Sequence, residues 1–99
     1  MATGHTRYRI RATDETSLFL ERLHPQIKRK MKSALKLIVA DPGIGKSLRD
    51  ELQGLKSFRV GRFRIIYHVA PAYIIELVAI GPRKTVYEET YRIIKKETR

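Results

Sequence analysis

Two arginines placed opposite each other on a predicted β-hairpin are the feature of this sequence that most directly suggests chemistry. Segment 56–67 reads KSFRVGRFRIIY, and its apolar and polar residues alternate as they do in two half-buried strands. Gly61 and Arg62 interrupt the alternation, and glycine in the first position of a two-residue loop is typical of a type II′ turn. This loop pairs Arg59 with Arg64, so both guanidinium groups lie on one face of the hairpin.

The other face of the hairpin is apolar and is predicted to point into the core; its residues are Phe58, Val60, Phe63 and Ile65. Like charges directly opposite each other on a sheet are destabilising, by roughly 0.2–1 kcal/mol. We therefore expect Arg59 and Arg64 to bind an anion that lies between them. The alternative is that they form ion pairs with Glu51 or Glu76 on a solvated sheet face.

The composition also points to an anionic partner. The 99 residues include 21 Lys and Arg against 10 Asp and Glu, which gives a formal charge of +11 and a pI near 10.4. The basic residues are clustered, since segment 22–36 contains six of them and segment 52–75 contains four, with no acid in either. Such an excess indicates binding to nucleic acid, anionic lipid or an acidic protein. A basic surface that is merely solvated is the alternative.

Other parts of the composition argue against several kinds of site. The absence of cysteine excludes disulfides, thiol nucleophiles and thiolate metal ligands. The three histidines are scattered without ligand spacing, so neither a metal nor another cofactor is expected. No apolar run approaches the ~18 residues of a membrane span, and the first residues lack the pattern of a signal peptide. We expect a cytoplasmic protein.

Residues 1–99 are predicted to form one small α+β domain with the element order β-α-α-β-β-β-α. Strands are predicted at 7–11, 56–60, 63–69 and 73–80, in a mostly antiparallel four-stranded sheet. The last strand, with the pattern YIIELVAI, is apolar enough to be central or covered on both faces. Two N-terminal helices should pack on one face of the sheet, and a terminal helix is predicted at 86–96.

The two N-terminal helices have recognisable start signals. Thr13 or Asp14 can cap the first, and Pro25 suits the first turn of the second. The predicted buried side of the first helix is Leu18, Phe19 and Leu23. The apolar stripe of the second is Ile27, Met31, Ala34, Leu35 and Ile38. Basic residues cover the rest of the second helix, and Lys28 and Lys32 among them are candidates for contact with RNA phosphates; a solvated face is an equal alternative.

This element order and two phrases, LKSFRVGRFRIIYHV and LVAIGPRKTVYEETYRII, resemble the RelE/ParE superfamily of bacterial toxins from type II toxin–antitoxin modules. The resemblance runs from Tyr8 to Ile94. Its specific part is a strand ending in R-V-G, then Y/F-R-I-I-Y, then a strand that closes on I-G-x-R with V-Y shortly after. It implies the RelE-like microbial RNase fold.

The superfamily divides into two functional branches. RelE-like members are ribosome-dependent endoribonucleases that cut mRNA in the A site, whereas ParE-like members inhibit DNA gyrase and lack the RNase residues. Four positions of the RNase pattern match Arg59, Arg64, Arg83 and, as the tyrosine that opens the last helix, Tyr87. The resemblance therefore implies an mRNA interferase that inhibits translation and whose partners are mRNA, the ribosome and a cognate antitoxin. A non-enzymatic gyrase inhibitor, or a toxin without activity, is the alternative.

RNA cleavage by its own 2′-OH needs a proton acceptor, a proton donor for the leaving 5′-oxygen and stabilisation of the phosphorane charge. Arg83, just past the last strand, is expected to join the hairpin arginines in stabilising the phosphorane charge through bidentate hydrogen bonds. The alternative is that Arg83 binds the end of a helix or strand. Tyr87 is expected to stack on a base, with core packing as its alternative. Core packing is the prediction for Tyr91.

The general base is the open question. RelE members carry lysines on the strand before the turn, where this sequence has Arg59, and arginine is a poor proton acceptor because its pKa exceeds ~12. Lys56, Lys84 and His68 are the nearby candidates for a base or for RNA contact. By strand alternation His68 should face the same side as Arg64, although a structural role is the alternative. Without a tuned base, cleavage would depend on the ribosome to position its substrate.

Overall fold

A five-stranded sheet forms the centre of the protein. The computed structural model describes residues 7–97. The strands are β1 (Arg9–Ala12), β2 (Lys46–Ser47), β3 (Lys56–Val60), β4 (Phe63–Ala70) and β5 (Ile74–Pro82). The helices are α1 (Asp14–Glu21), α2 (Pro25–Ala40) and α3 (Arg83–Glu97). The sheet has the spatial order β1-β5-β4-β3-β2, in which only the β1–β5 pair is parallel, so the predicted α+β class and mostly antiparallel sheet are confirmed.

The predicted number of strands is wrong by one. β2 has two residues, Lys46 and Ser47, which pair antiparallel with Ser57 and Lys56 of β3. A strand of this length cannot show the alternation of apolar and polar residues by which a strand is recognised in a sequence. β2 could therefore not be predicted from the sequence, and it is recognised only by its pairing with β3.

The predicted hairpin register is confirmed. Arg59 of β3 pairs with Arg64 of β4, and the pairs on either side of it follow the same register. Gly61 has φ +61°, and Arg62 is not in the left-handed region, which is the pattern of a type II′ turn rather than type I′. Glycine adopts this φ without steric cost, so the turn sets which residues share each face.

The two N-terminal helices begin as predicted. The Thr13 hydroxyl accepts a hydrogen bond from the Thr16 amide at 3.1 Å, which caps α1, and Pro25 is the first residue of α2. The α2 stripe packs against one face of the sheet; its three buried residues are Met31, Ala34 and Ile38. The prediction for Leu18 is wrong, because its side chain is 47% exposed on the outer side of α1.

Helices cover both faces of the sheet. α1 and α2 pack on the face that carries Ile65 and Tyr67, while α3 places Val86 against Ile66 and Ala79 on the other face. Successive residues of β4 alternate between these two clusters, as successive side chains of a strand do. The interior position of β5, between β1 and β4, explains its nearly continuous apolar sequence and confirms the prediction made from it.

The start of α3 differs from the prediction in a way that affects the site. The helix begins at Arg83, three residues before the predicted 86, so Arg83 opens it and Tyr87 follows about one turn later. The core prediction for Tyr91 is wrong, because this side chain is 39% exposed. The buried positions of α3 are instead Val86 and Thr90.

Tyr67 ties the segment after α2 to the sheet. Its hydroxyl donates to the Pro42 carbonyl at 2.7 Å and accepts from the Gly45 amide at 3.0 Å. Burial raises the pKa of Tyr67, so the phenol is neutral and can make both bonds. A Cβ on Gly45 would lie 2.6 Å from the Tyr67 hydroxyl oxygen, so this close approach requires glycine.

Candidate functional site

Four arginines line a depression of about 300 Å³ beside the β3–β4 turn. Its lining residues are Arg59, Gly61, Arg62, Phe63, Arg64 and Arg83. Arg59 and Arg62 are exposed, whereas Arg64 is half-buried. A concave surface that presents several guanidinium groups and no carboxylate is suited to bind a phosphate or another multiply charged anion.

The register of the sheet brings these arginines together. Arg59 and Arg64 are direct partners in the hairpin, as the sequence predicted. On the other edge of β4, Phe63 pairs with Pro82, and Arg83 is the next residue along the chain. The sheet therefore places Arg83 next to the hairpin, and it lines the same depression as the pair.

The arginines of the depression have no carboxylate partner within residues 7–97. Among the described residues, Glu76 forms an ion pair with Arg11, and its carboxylate also lies 3.4 Å from Nδ1 of His68. The alternative that Glu76 neutralises the hairpin arginines is therefore wrong, and no ion pair with Glu51 is formed within those residues. Arg59 donates from Nε to the Gly61 carbonyl at 3.3 Å, which folds it over the turn.

Arg64 and Tyr87 meet at a residue that the sequence reasoning missed. Nη1 of Arg64 lies 3.4 Å from Oγ of Ser57, and Oη of Tyr87 lies 3.2 Å from the same oxygen. Ser57 is only 3% exposed and precedes Arg59 by two residues on β3, so it shares the face of the arginine pair. That shared face was the signal available in the sequence, but Tyr87 could not be linked to it without the register of α3.

Tyr87 is half-buried on α3. Its ring packs against the cluster of Ile66, Ala79 and Val86 under α3. The hydroxyl reaches the arginine face through Ser57, although Tyr87 itself does not line the depression. The ring packing agrees with the core alternative for Tyr87, while stacking on a base stays a prediction; the contact of the hydroxyl with Ser57 was not predicted.

Two candidate bases do not line the depression. The Lys56 ammonium donates to the hydroxyl of Ser47 at 3.0 Å, and Lys56 alternates with Ser57, so it belongs to the opposite face of β3 from Arg59. Lys84 is exposed in the first turn of α3, next to Arg83. Neither prediction gains support from the geometry as a proton acceptor within this cluster.

His68 shares the arginine face of β4, as predicted, but it has a different partner. Its Nδ1 is 3.4 Å from Oε1 of Glu76, and the other carboxylate oxygen, Oε2, accepts a hydrogen bond from Arg11. The Arg11 guanidinium lowers the pKa of the Glu76 carboxyl, and His68 lowers it further. These three residues line a separate groove of about 1080 Å³ that extends between α1 and α3, so His68 is not part of the arginine depression.

The remaining candidates, Lys28 and Lys32, lie on the other side of the molecule. They belong to α2, whose buried stripe packs on the face of the sheet opposite α3. Lys32 is exposed and Lys28 is half-buried. They form part of a separate basic surface.

Two general features of residues 7–97 bear on the kind of site. No cluster of three or more His, Asp or Glu side chains has an arrangement that could hold a metal ion. None of the helices is both long enough and apolar enough to cross a membrane.

Comparison with known proteins gives the family. The family model described as the ParE toxin of the type II toxin–antitoxin system parDE matches residues 10–87. In the crystal structure of the RelBE2 toxin–antitoxin complex from Mycobacterium tuberculosis, a chain 28% identical to this one has a TM-score of 0.67, over 78% of this chain and 99% of that one. A mutant of the E. coli toxin RelE in the free state is 14% identical with a TM-score of 0.72, over 92% and 97% of the two chains.

A further structure, the archaeal RelE–RelB complex from Pyrococcus horikoshii, contains a chain that is 22% identical with a TM-score of 0.63, over 77% and 94% of the two chains. At identities this low, the E. coli and archaeal similarities show the fold alone. A search of curated proteins found no match. The three-helix, five-stranded fold and the match to the family model define a small toxin domain. The chain belongs to the ParE toxin family, within the RelE/ParE superfamily of type II toxin–antitoxin systems.

Proposed function

We propose that this toxin is a ribosome-dependent endoribonuclease that cleaves mRNA in the A site by attack of a 2′-OH on the adjacent phosphate. The observation that carries the proposal is the depression lined by Arg59, Arg62, Arg64 and Arg83, which have no carboxylate partner within residues 7–97. Cations held together without acids are costly to the fold and are therefore best explained by an anionic ligand. A phosphodiester at the point of attack is such a ligand.

The proposed roles follow from the placement of each side chain. Arg64 and Arg83 contact the non-bridging oxygens of the scissile phosphate and stabilise the charge that develops on them, and Arg59 closes the site from the turn. Tyr87, which does not itself line the depression, is connected to Arg64 through Ser57. This arrangement favours stabilisation of the transition state over proton abstraction, because guanidinium groups do not accept protons at neutral pH.

Dependence on the ribosome agrees with the lining of the depression. None of its six residues is a ready proton acceptor. A cluster that stabilises charge without a tuned base gains most from a substrate that is already held in the reactive geometry, which is what a decoding site supplies. This role also places the protein in the cytoplasm.

The direct test is primer extension on a translating mRNA with purified ribosomes. The wild type should produce breaks within A-site codons, and omission of ribosomes should abolish them. Arg64→Ala and Arg83→Ala should each lower the cleavage rate by about 10²–10³-fold, the usual cost of removing one donor to a developing oxyanion. Arg9→Ala, an exposed arginine on β1, is the matched control and should cleave like the wild type. Intact mRNA with the wild type, or full activity in both site variants, would contradict the proposal.

Inhibition of DNA gyrase is the second candidate, and the match to the ParE family model favours it. A gyrase inhibitor would use the basic surface for binding and would need no phosphate-centred geometry. A supercoiling assay with purified gyrase separates the two candidates. Inhibition of supercoiling by the wild type and also by Arg64→Ala, together with intact mRNA in the cleavage assay, would establish this alternative.

We further propose that a cognate antitoxin binds this chain, as antitoxins bind the toxins of the mycobacterial and archaeal complexes. An acidic segment that folds on contact would neutralise part of the +11 charge. Arg64→Ala should abolish growth arrest in cells and leave antitoxin binding largely intact, because it removes one of many basic contacts. Growth arrest that persists in this variant would speak against a role for Arg64 in toxicity.

The basic surface of α2 is proposed as a second contact with ribosomal RNA. Lys28, Lys32 and Lys36 repeat at a spacing of four along the helix, where like charges repel, and α2 contains no acid to offset them. Replacing Lys28 and Lys32 with Gln should weaken ribosome binding and reduce its dependence on salt, while the cleavage rate at saturation stays unchanged. An unchanged salt dependence would indicate a solvated face.

A further inference from the structure

Within the described part of the chain, Ser57 is the one buried polar side chain that connects the arginine depression to α3. It is 3% exposed, and its only side-chain partners within residues 7–97 are Arg64 and Tyr87. The two distances, 3.4 Å to Arg64 and 3.2 Å to Tyr87, are long for hydrogen bonds. Hydrogen bonds in catalytic sites are often long without substrate and shorten when it binds.

The donors and acceptors of Arg64, Ser57 and Tyr87, together with their burial, indicate which group donates each hydrogen bond. A guanidinium only donates, so the Ser57 oxygen accepts from Arg64. The Ser57 hydroxyl has one proton of its own, and Tyr87 is its remaining partner. Either direction between the two hydroxyls leaves one proton without a partner among these three residues. Because Ser57 is 3% exposed and Tyr87 is only half-buried, donation from Arg64 to Ser57 and from Ser57 to Tyr87 is favoured, since the unpaired proton then lies on the more accessible group. It leaves the phenolic proton of Tyr87 free for an oxygen atom outside the protein.

We propose that Ser57 is a positioning residue, which holds Arg64 and Tyr87 as one hydrogen-bonded unit and leaves the Tyr87 hydroxyl as a donor to the bound RNA. This inference rests on the proposed RNase function. It changes the role expected for Tyr87 from the sequence, because the hydroxyl and not only the aromatic ring takes part. The packing of the ring against Val86 and Ile66 agrees with this, since it occupies part of the surface that a stacked base would need.

Single-turnover cleavage on programmed ribosomes tests the functional part. Ser57→Ala and Tyr87→Phe should each lower the rate at saturating ribosome by about 10- to 100-fold, the effect of losing a hydrogen bond to a charged or reacting group, with the half-saturating ribosome concentration unchanged. The double variant should be no slower than either single variant, because both remove the same unit. Ser57→Thr, which keeps a hydroxyl at this position, should retain most of the wild-type cleavage rate.

The control for this experiment is Ser17→Ala on α1, a residue that does not line the depression, which should cleave like the wild type. Thermal melting of each variant establishes that it is folded. A Tyr87→Phe variant that cleaves at the wild-type rate would overturn the inference, because stacking needs only the ring. Independent, additive losses in the double variant would also overturn it.

A second measurement needs neither RNA nor ribosome. The guanidinium nitrogen signals of Arg64 can be followed by NMR in the free protein, and Tyr87→Phe should shift them although Arg64 and Tyr87 are joined only through Ser57. Unchanged Arg64 signals would refute the hydrogen-bonded unit. If the wild type leaves mRNA intact while these signals do shift, the RNase proposal fails and the unit itself stands.

Discussion

Removing one of the two paired arginines should make the protein more stable while it destroys the site. Arg59 is the better position for this test, because it is exposed and its side chain donates to the Gly61 carbonyl at 3.3 Å, whereas Arg64 is half-buried and contacts Ser57. Arg59→Gln keeps most of the side chain and removes the charge. We expect the free energy of unfolding to rise at low salt and mRNA cleavage to fall.

The size of the effect follows from the register. Arg59 and Arg64 are direct partners across the hairpin, and like charges in this relation cost roughly 0.2–1 kcal/mol. A gain of about 0.5 kcal/mol corresponds to a rise in Tm of about 2–4 °C for a domain of this size. At ~1 M salt the Debye length falls to about 3 Å, so most of the gain should disappear.

Urea unfolding followed by circular dichroism, at low and at high salt, measures the change. Arg9→Gln is the control, since it lowers the net charge by the same amount at an exposed position on β1. The difference between the two variants removes the general effect of the +11 charge and leaves the local repulsion. If Arg59→Gln is no more stable than Arg9→Gln at low salt, then the paired arginines do not repel and the argument for an anion site loses its basis.

Three further substitutions test the framework around the site. Tyr67→Phe should lower the free energy of unfolding by about 2 kcal/mol in urea titrations, because it leaves the Gly45 amide and the Pro42 carbonyl without their partner. The control, Tyr73→Phe at an exposed position, should change it by less than about 0.5 kcal/mol, and equal effects of the two variants would contradict this account. Gly45→Ala should also destabilise the fold, because its Cβ would lie 2.6 Å from the Tyr67 hydroxyl oxygen. The loss should be smaller when Tyr67→Phe has already removed that hydroxyl, and additive losses in the double variant would argue against the clash. Arg11 lowers the pKa of Glu76, so the pair stabilises the fold above the usual carboxyl pKa of about 4 and loses this contribution as the pH falls through the lowered pKa. The stability of Glu76→Gln in acid should therefore depend less steeply on pH than that of the wild type. Identical pH profiles of the two proteins would rule this out.

The hairpin and the second helix were predictable because their signals are local. Period-2 alternation, one glycine in a two-residue loop and a proline at a helix start each determine the geometry within a few residues of themselves. The pairing of Arg59 with Arg64 and the buried stripe of α2 therefore agree with the structure. The same reasoning failed for Leu18 and Tyr91, because whether a helical apolar residue is buried depends on what lies opposite it.

Within the candidate site, local patterns reached only part of the arrangement. His68 was predicted on the correct face, yet an acid on the neighbouring strand binds it and keeps it in a separate groove. Lys56 was predicted near the arginines, but strand alternation puts it on the opposite face. Ser57 was not singled out, because its role depends on a tyrosine thirty positions further along the chain.

The sequence by itself determined the charge, the hairpin register and the motifs by which the family is recognised, because each depends on composition or on neighbours within one turn or strand. Only the tertiary structure decided that Arg83 lines the same depression as the hairpin pair, that Ser57 connects Arg64 to Tyr87, and that Glu76 belongs to another cluster. These relations depend on the pairing of β4 with β5 and on the packing of α3 over the sheet. Both are long-range contacts, and a local sequence pattern does not show which distant segments of the chain lie next to each other.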